Sequence, residues 1–149
     1  MAQHHVEPRG ERGERRSDEL RTFLTELARA VTTGDGEAAA RLWEVPAFVI
    51  GSGMARSLAN LEEIAQFFGG ARAQYNANGI TATRPQIVSE DWIDDDLVTV
   101  SVRWPYLESN GREIGAETSD YTISRAADGS LRLRVAVMRG VEGATGKPS

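Results

Sequence analysis

The chain has 149 residues, a net charge of -5, 26% charged and 40% hydrophobic residues, and no cysteine. This length and composition are typical of one globular domain with its own core. The lack of cysteine excludes disulfides, thiolate metal sites and a cysteine nucleophile. Because an acidic chain is a poor generic binder of nucleic acid, we expect small neutral or cationic molecules, or another protein, as partners.

Both ends of the chain are predicted to lack structure. Residues 1–17 contain no aromatic side chain and mix charges with Gly and Pro, so they cannot bury enough apolar area to offset ordering. We therefore predict a disordered tail over 1–17, a domain over 18–141 and a flexible C-terminal tail over 142–149. No apolar run reaches the roughly 20 residues of a membrane span, and because the first residues contain no apolar stretch we expect no secretory signal. The expected location is the cytoplasm, with no membrane partner.

Two helices are predicted before residue 46. The first spans Asp18 to Thr33, because its apolar residues recur at the spacing of one helix face. These residues are Leu20, Phe23, Leu24, Leu27 and Val31. Asp35 is a suitable cap for a second, short helix, in which Leu42 and Trp43 face inward. Pro46 cannot continue that helix and is predicted to end it.

A strand, a third helix and then only strands follow. Ala47 to Ile50 is predicted as the first strand, and Asn60 with Glu63 has the spacing of a capping box that starts the third helix. The remaining segments alternate between apolar and polar residues and are separated by turn residues. The predicted strands are 80–93, 97–107, 113–125 and 131–138, with turns at 94–96, 110–111 and 128–129.

This order of elements defines an α+β fold, with three N-terminal helices packed on a curved, mainly antiparallel sheet. The run from Phe23 to Phe68 carries a resemblance to a known family through a helix ending in Gly-Asp, then ARLW, then Pro-Ala before an apolar strand, then NLEEIAQFF. It resembles the nuclear transport factor 2-like superfamily, of cystatin-like α+β fold, which includes SnoaL-like cyclases and steroid isomerases. The resemblance implies a cone with an internal pocket and a homodimer through the convex sheet face.

Steroid isomerase chemistry is not expected from this sequence. Members of that branch use a tyrosine, a carboxylate base and a protonated acid, and counting along the chain places Leu27, Gly51 and Tyr121 at those positions. The two histidines, His4 and His5, lie in the predicted tail, so the domain has no histidine base or histidine metal ligand. We therefore predict no metal site and no cofactor.

The facing of the strand residues is left open by two arguments. Counting from the turns places Arg103, Glu117, Tyr121 and Arg134 inside the cone, where the arginines could hold a carboxylate or carbonyl group. The same count sends an apolar set outward, where it would suit a dimer interface. That set is Val98, Val100, Val102, Trp104, Tyr106, Leu133, Val135 and Val137. Apolar alternation argues the reverse, with the valines and Trp104 in the core and both arginines in solvent.

The favoured function is binding of a small apolar or aromatic molecule, with the possibility of isomerase, cyclase or lyase chemistry without a cofactor. Glu117 is the candidate proton acceptor, and Tyr121 or Arg103 would stabilise a developing oxyanion. The candidate ligand-binding residues are Arg103, Tyr121, Arg134, Trp43 and Tyr75. The alternative is a non-catalytic homodimeric interaction module. A cavity of roughly 300 Å³ or more would favour the ligand-binding function.

Overall fold

The computed structural model of the protein describes residues 9–51, 53–69 and 76–142. The helices are α1 (Arg9–Thr33), α2 (Gly36–Ala40) and α3 (Leu61–Gly69). The strands are β1 (Trp43–Gly51), β2 (Met54–Leu58), β3 (Gln86–Asp94), β4 (Leu97–Leu107), β5 (Glu113–Arg125) and β6 (Leu131–Glu142). None of the described helices is both long and apolar enough to cross a membrane.

The six strands form one curved, open sheet in the order β2-β1-β6-β5-β4-β3. All neighbours are antiparallel except β1 and β6, which are parallel. The last strand in the sequence therefore lies near the middle of the sheet, between β1 and β5, and β2 and β3 form its edges. This architecture confirms the predicted α+β class.

The first helix begins at Arg9, so the predicted start at Asp18 is nine residues too late. Its early turns are held against the β3–β4 hairpin. Arg16 is hydrogen-bonded to Asp95, and its guanidinium lies 5.2 Å from the centroid of the Trp92 ring. These contacts are polar, so a search for apolar periodicity does not detect them. Residues 1–8 and 143–149 of the predicted tails lie outside the described residues.

Both predicted helix caps are present. Asp35 Oδ1 accepts a hydrogen bond from the Ala38 amide at 2.9 Å. Asn60 Oδ1 accepts from the Glu63 amide at 2.9 Å, and Glu63 in turn accepts from the backbone at the start of α3. The second helix is shorter than predicted, because β1 already begins at Trp43. Pro46 therefore lies within a strand and does not mark a helix end.

The sequence correctly predicts β4 and β5 to the residue but omits β2. In β2 only Leu58 is buried, so the strand carries no apolar alternation. Before β3, the segment predicted as strand from residue 80 makes only one isolated bridge, between Ala82 and Leu107. The last strand extends four residues beyond its predicted end at Met138. The ends of these strands are thus set by pairing with neighbouring strands, and the alternation of apolar and polar residues within each segment does not predict them.

The core lies between α1 and one face of the sheet, which we call the inner face. Leu20, Leu24 and Leu27 of α1 are buried there with Val98, Val100 and Val102 of β4. Trp104 and Leu133 belong to the same cluster. The predicted outward facing is therefore wrong for six members of the apolar set, whereas Val135 and Val137 lie on the outer face. Apolar alternation indicated the correct facing, because a run of alternating valines is most stable when it faces the core.

Candidate functional site

A group of polar side chains lies on the inner face of β5. Glu117 pairs with Trp104 of β4, and Tyr121 pairs with Val100. Directly opposed residues of antiparallel strands share a face, so both side chains point to the same side as the core residues of β4. Ser119, between them on the same face, is almost fully buried. We call Tyr106, Glu117, Ser119 and Tyr121 the inner polar group.

The Tyr121 phenol is fixed by two neighbours. Trp104 Nε1 donates a hydrogen bond to the phenol oxygen at 2.8 Å, and the two rings meet edge to face at 6.3 Å. A second hydrogen bond joins the phenol to Ser119. Burial raises the pKa of Tyr121, and the negative charge of Glu117 raises it further, despite the opposing effect of these hydrogen bonds. The phenol is thus neutral near pH 7 and retains its proton.

The Glu117 carboxylate is hydrogen-bonded to a second phenol, Tyr106. Burial raises the pKa of Tyr106, and the charge of Glu117 and this hydrogen bond raise it further. Since a protonated phenol donates to a carboxylate, Tyr106 acts as the donor. Tyr106 was predicted to face outward with the apolar set and was therefore not predicted as a member of the site. The sequence pattern that could have placed Tyr106 in the site is the alternation of side chains along β4, because residues two apart on a strand share a face and Tyr106 is two residues from Trp104.

This arrangement combines a carboxylate with hydrogen-bond donors inside an apolar face. A carboxylate can accept a proton, and a neutral phenol can donate a hydrogen bond to an oxygen that becomes negative. Both effects are stronger where water is excluded. Within residues 9–51, 53–69 and 76–142, no cluster of three or more His, Asp or Glu side chains could hold a metal ion.

Arg103 does not belong to this group, so its predicted inward facing is wrong. It alternates along β4 with the buried Val102 and Trp104 and therefore lies on the outer face of the sheet. Its guanidinium donates to Glu113 at 2.6 Å and to Gln86 at 3.0 Å. The hydrogen bond from Arg103 lowers the pKa of Glu113. Glu113 thus neutralises the charge of the Arg103 guanidinium on the outer face. Because Tyr121 lies on the inner face, Arg103 cannot reach it.

Arg134 and Tyr75 are the other polar candidates. Arg134 lies at a β-bulge, where Ile123 pairs with Leu133 and the preceding Thr122 pairs with Val135, so Arg134 has no opposite residue. It is half-buried, and its Nε has no hydrogen-bond partner in the described part of the chain. Its place on β6 is beside Ile123, whereas the residue opposite Tyr121 is Ala136. Tyr75 lies outside the described residues.

Two of the three positions compared with steroid isomerases, Leu27 and Gly51, carry no acid–base group. Leu27 is buried in the core on α1. Gly51 ends β1, and a Cβ atom added there would lie 3.2 Å from the terminal methyl carbon of Met138. The Met138 side chain thus fills the space beside Gly51 that a carboxylate at this position would need.

Trp43, the remaining candidate, lies at the start of β1 opposite Leu133. Its ring centroid is 5.7 Å from that of Phe68 on α3. The side chain belongs to the core, with 2% of the residue exposed, and its indole nitrogen has no hydrogen-bond partner among the described residues.

An open groove of about 720 Å³ lies elsewhere on the molecule, between α1 and the β5–β6 turn. Its lining includes Arg15, Glu26, Arg41 and Asp128 and no member of the inner polar group. The groove is therefore separate from the site, and its volume does not measure the interior of the cone.

Comparison with known proteins identifies the fold. A family model described as "NTF2-like protein (DUF6841)" matches residues 16–141. A search of curated proteins found no match. An NTF2-like protein with a cystatin-like fold from Novosphingobium aromaticivorans is similar in structure, with a TM-score of 0.65, 16% identity, and coverage of 91% of this chain and 88% of the other.

Two further solved structures are similar over most of their length. A ketosteroid isomerase-like protein from Erwinia carotovora atroseptica has a TM-score of 0.61 and 12% identity, covering 82% of this chain and 93% of the other. A protein from Catenulispora acidiphila in complex with S-DNPA has a TM-score of 0.61 and 14% identity, covering 83% and 91%. At these identities the similarity establishes the cone fold alone.

Proposed function

Because the chain belongs to the NTF2-like family DUF6841, we propose that it binds a small, mainly apolar molecule on the inner face of its sheet, beside the inner polar group, where Glu117 and Tyr121 are only partly buried. The inner polar group would hold one polar substituent of that molecule. The observation that supports this proposal is the hydrogen-bonded pair of Glu117 and Tyr106, next to the Tyr121–Trp104 pair, on a face that is otherwise apolar. Binding sites for small molecules commonly combine an apolar lining with a few polar groups.

The chemistry that this group supports is proton transfer without a cofactor. Glu117 would accept a proton from a carbon next to a carbonyl group, and Tyr121 would donate a hydrogen bond to the resulting enolate oxygen. Isomerases, cyclases and lyases all use such a step. A positioned base contributes roughly 10²–10⁴-fold to rate, and one oxyanion donor contributes about 10²–10³-fold.

Exchange of α-protons in D₂O, followed by proton NMR on a panel of cyclic and aryl ketones, tests this directly. Glu117→Gln should lower the exchange rate at least about 10²-fold, because it removes the base and keeps the side-chain shape. The matched control is Glu113→Gln, the same change on the same strand, at the outer ion pair with Arg103. The control should exchange at the wild-type rate. Equal rates in wild type and Glu117→Gln would contradict the assignment of the base.

A second candidate function is a non-catalytic homodimeric interaction module. Phe48 and Ile50 of β1 point away from the core and are 44% and 42% exposed. They pair with Val135 and Val137 of β6, so the four form one apolar strip on the outer face. Apolar strips of this kind mark interaction surfaces. If the protein binds no member of the ketone panel and self-associates through this strip, these results would favour the interaction module.

A further inference from the structure

The indole N–H of Trp104 constrains the way in which Tyr121 can form hydrogen bonds. Trp104 Nε1 donates to the phenol oxygen of Tyr121 at 2.8 Å. An indole can donate a hydrogen bond but cannot accept one, so this bond always occupies a lone pair of the phenol oxygen and never uses its proton. Trp104 is 6% exposed, so water has little access to compete for the N–H.

Ser119 is the second neighbour of the phenol oxygen. Its hydroxyl is hydrogen-bonded to Tyr121, and a hydroxyl can either donate or accept such a bond. The two hydroxyls together hold two protons and share one hydrogen bond, so one proton remains for another acceptor. Because Ser119 is 3% exposed whereas Tyr121 is only partly buried, a bound molecule can meet this proton when it is on Tyr121. Both neighbours then donate to the phenol oxygen, which polarises its O–H bond and makes it a stronger donor.

The register of β4 and β5 gives the direction of this donor. Trp104 lies opposite Glu117, whereas Tyr121 lies four residues further along β5, opposite Val100. A hydrogen bond from Trp104 to Tyr121 therefore requires the phenol to lean along the sheet, over Ser119, toward Glu117. The same lean explains why the charge of Glu117 acts on the phenol. The proton donor and the candidate base thus serve the same part of the inner face.

We propose that Trp104 and Ser119 are positioning residues, which donate to the Tyr121 oxygen and thereby direct the phenol proton at the acceptor oxygen of the bound molecule. Neither residue needs to touch that molecule. This inference rests on the proposed function, because the oxygen that receives the hydrogen bond belongs to the ketone or enolate of that reaction. It implies that the molecule carries its carbonyl oxygen next to Tyr121, with the exchanging carbon toward Glu117.

Exchange of ketone α-protons in D₂O tests this role through kcat and KM. Trp104→Phe removes the indole donor and keeps an aromatic ring. It should lower kcat about fivefold and change KM less than about twofold, because the lost bond acts on the transition state more than on the bound ketone. Trp92→Phe is the matched control, because the Trp92 indole donates to Glu90 on β3, and it should exchange at the wild-type rate. A wild-type kcat in Trp104→Phe would overturn the role of Trp104.

A double-mutant cycle separates positioning from packing. In the Tyr121→Phe background neither Trp104→Phe nor Ser119→Ala should lower kcat further, because both residues act through the phenol. A further loss in that background as large as in wild type would show a packing role alone and would overturn the proposal. Ser119→Ala removes one donor with little change in volume and should by itself lower kcat about two- to fivefold. The cycle with Ser119→Ala therefore decides the outcome where Trp104→Phe does not fold.

A measurement without a ketone separates this proposal from the proposed function. Indole nitrogen–proton NMR gives one signal for each of the three tryptophans. Tyr121→Phe should shift the Trp104 signal upfield, because its N–H loses the acceptor, and should leave the Trp92 signal in place. An unchanged Trp104 signal would overturn the positioning role and leave the proposed function intact. A shifted signal, together with a wild type that exchanges no ketone, would overturn the proposed function and the positioning role with it.

Discussion

Tyr121 illustrates how one residue can be both a core residue and a chemical group. Its ring packs against the hydrophobic core, while its oxygen accepts the indole proton of Trp104. Burial keeps the phenol protonated, so it stays a hydrogen-bond donor where an exposed tyrosine would begin to ionise. The same burial makes the stability of the protein depend on pH at the alkaline end.

The sign of this dependence follows from the raised pKa. In the unfolded chain Tyr121 ionises near its ordinary pKa of about 10, whereas in the folded protein it keeps its proton to higher pH. Below pH of about 10 both states bind this proton, so its contribution is fully present. As pH rises above that value the unfolded state loses the proton, and we expect the free energy of unfolding to fall by up to about 1.4 kcal/mol per pH unit.

Urea unfolding between pH 8 and pH 11 measures this slope. Tyr121→Phe lacks the ionisable group and should show a shallower decline with pH, although it is less stable throughout because Trp104 loses its acceptor. The comparison uses the slope, so the constant offset does not interfere. Identical slopes in wild type and variant would show that Tyr121 ionises equally in both states.

At the scale of elements, the first turns of α1 depend on contacts that neighbouring turns cannot supply. Arg16 covers the Trp92 ring and binds Asp95, and the hydrogen bond from Arg16 lowers the pKa of Asp95. Ser17 donates to the Glu90 carboxylate at 3.0 Å. This end of the helix is thus joined to the β3–β4 hairpin by two hydrogen bonds and one cation–π contact.

Replacing Arg16 with Ala should loosen this end without unfolding the domain. A cation–π contact contributes about 0.5–1 kcal/mol, so amide hydrogen exchange in residues 9–17 should become about two- to fivefold faster. Arg21→Ala is the matched control, because Arg21 is exposed and its ion pair is with Asp18 of the same helix. For Arg21→Ala, hydrogen-exchange mass spectrometry should show no change in the exchange rate of residues 9–17. A global rise in exchange in Arg16→Ala would contradict a local role.

Local signals predicted the elements that contain them. The caps at Asp35 and Asn60 and the bounds of β4 and β5 follow from side chains close in sequence. The edge strand β2 has no apolar alternation of its own and is defined by its pairing with β1, and the extension of α1 depends on the distant β3–β4 hairpin. No local pattern encodes such pairing, because propensity and periodicity describe one segment at a time.

The candidate site was predictable for β5 and not for β4. Glu117 and Tyr121 were placed on the correct face, but the same counting reversed the face of Arg103. A count that slips by one residue exchanges the two faces of a strand, and the β4–β5 pairing is irregular between Tyr106 and Leu107. The better signal was the valine alternation, since buried apolar area outweighs any expected ligand contact in choosing the face.

At the scale of the whole molecule, the outer apolar strip of Phe48, Ile50, Val135 and Val137 makes a proposed dimer testable. Ile50→Glu places a charge in the strip and should convert a dimer to a monomer, because a buried unpaired charge costs more than the contact contributes. Light scattering at micromolar concentration measures the mass. Val88→Glu, at an exposed position on the edge strand β3, should leave the mass unchanged. A wild-type monomer would contradict self-association through this strip.

The central place of β6 has a consequence for synthesis on the ribosome. The β1–β2 hairpin meets the rest of the sheet only through β6, which follows every other described strand in the chain. Until Leu131 onward has left the exit tunnel, β1 and β5 each lack a neighbour, and their apolar residues stay in water. The sheet therefore assembles after most of the domain has been translated, and the emerging chain is exposed to chaperones and to aggregation during that interval.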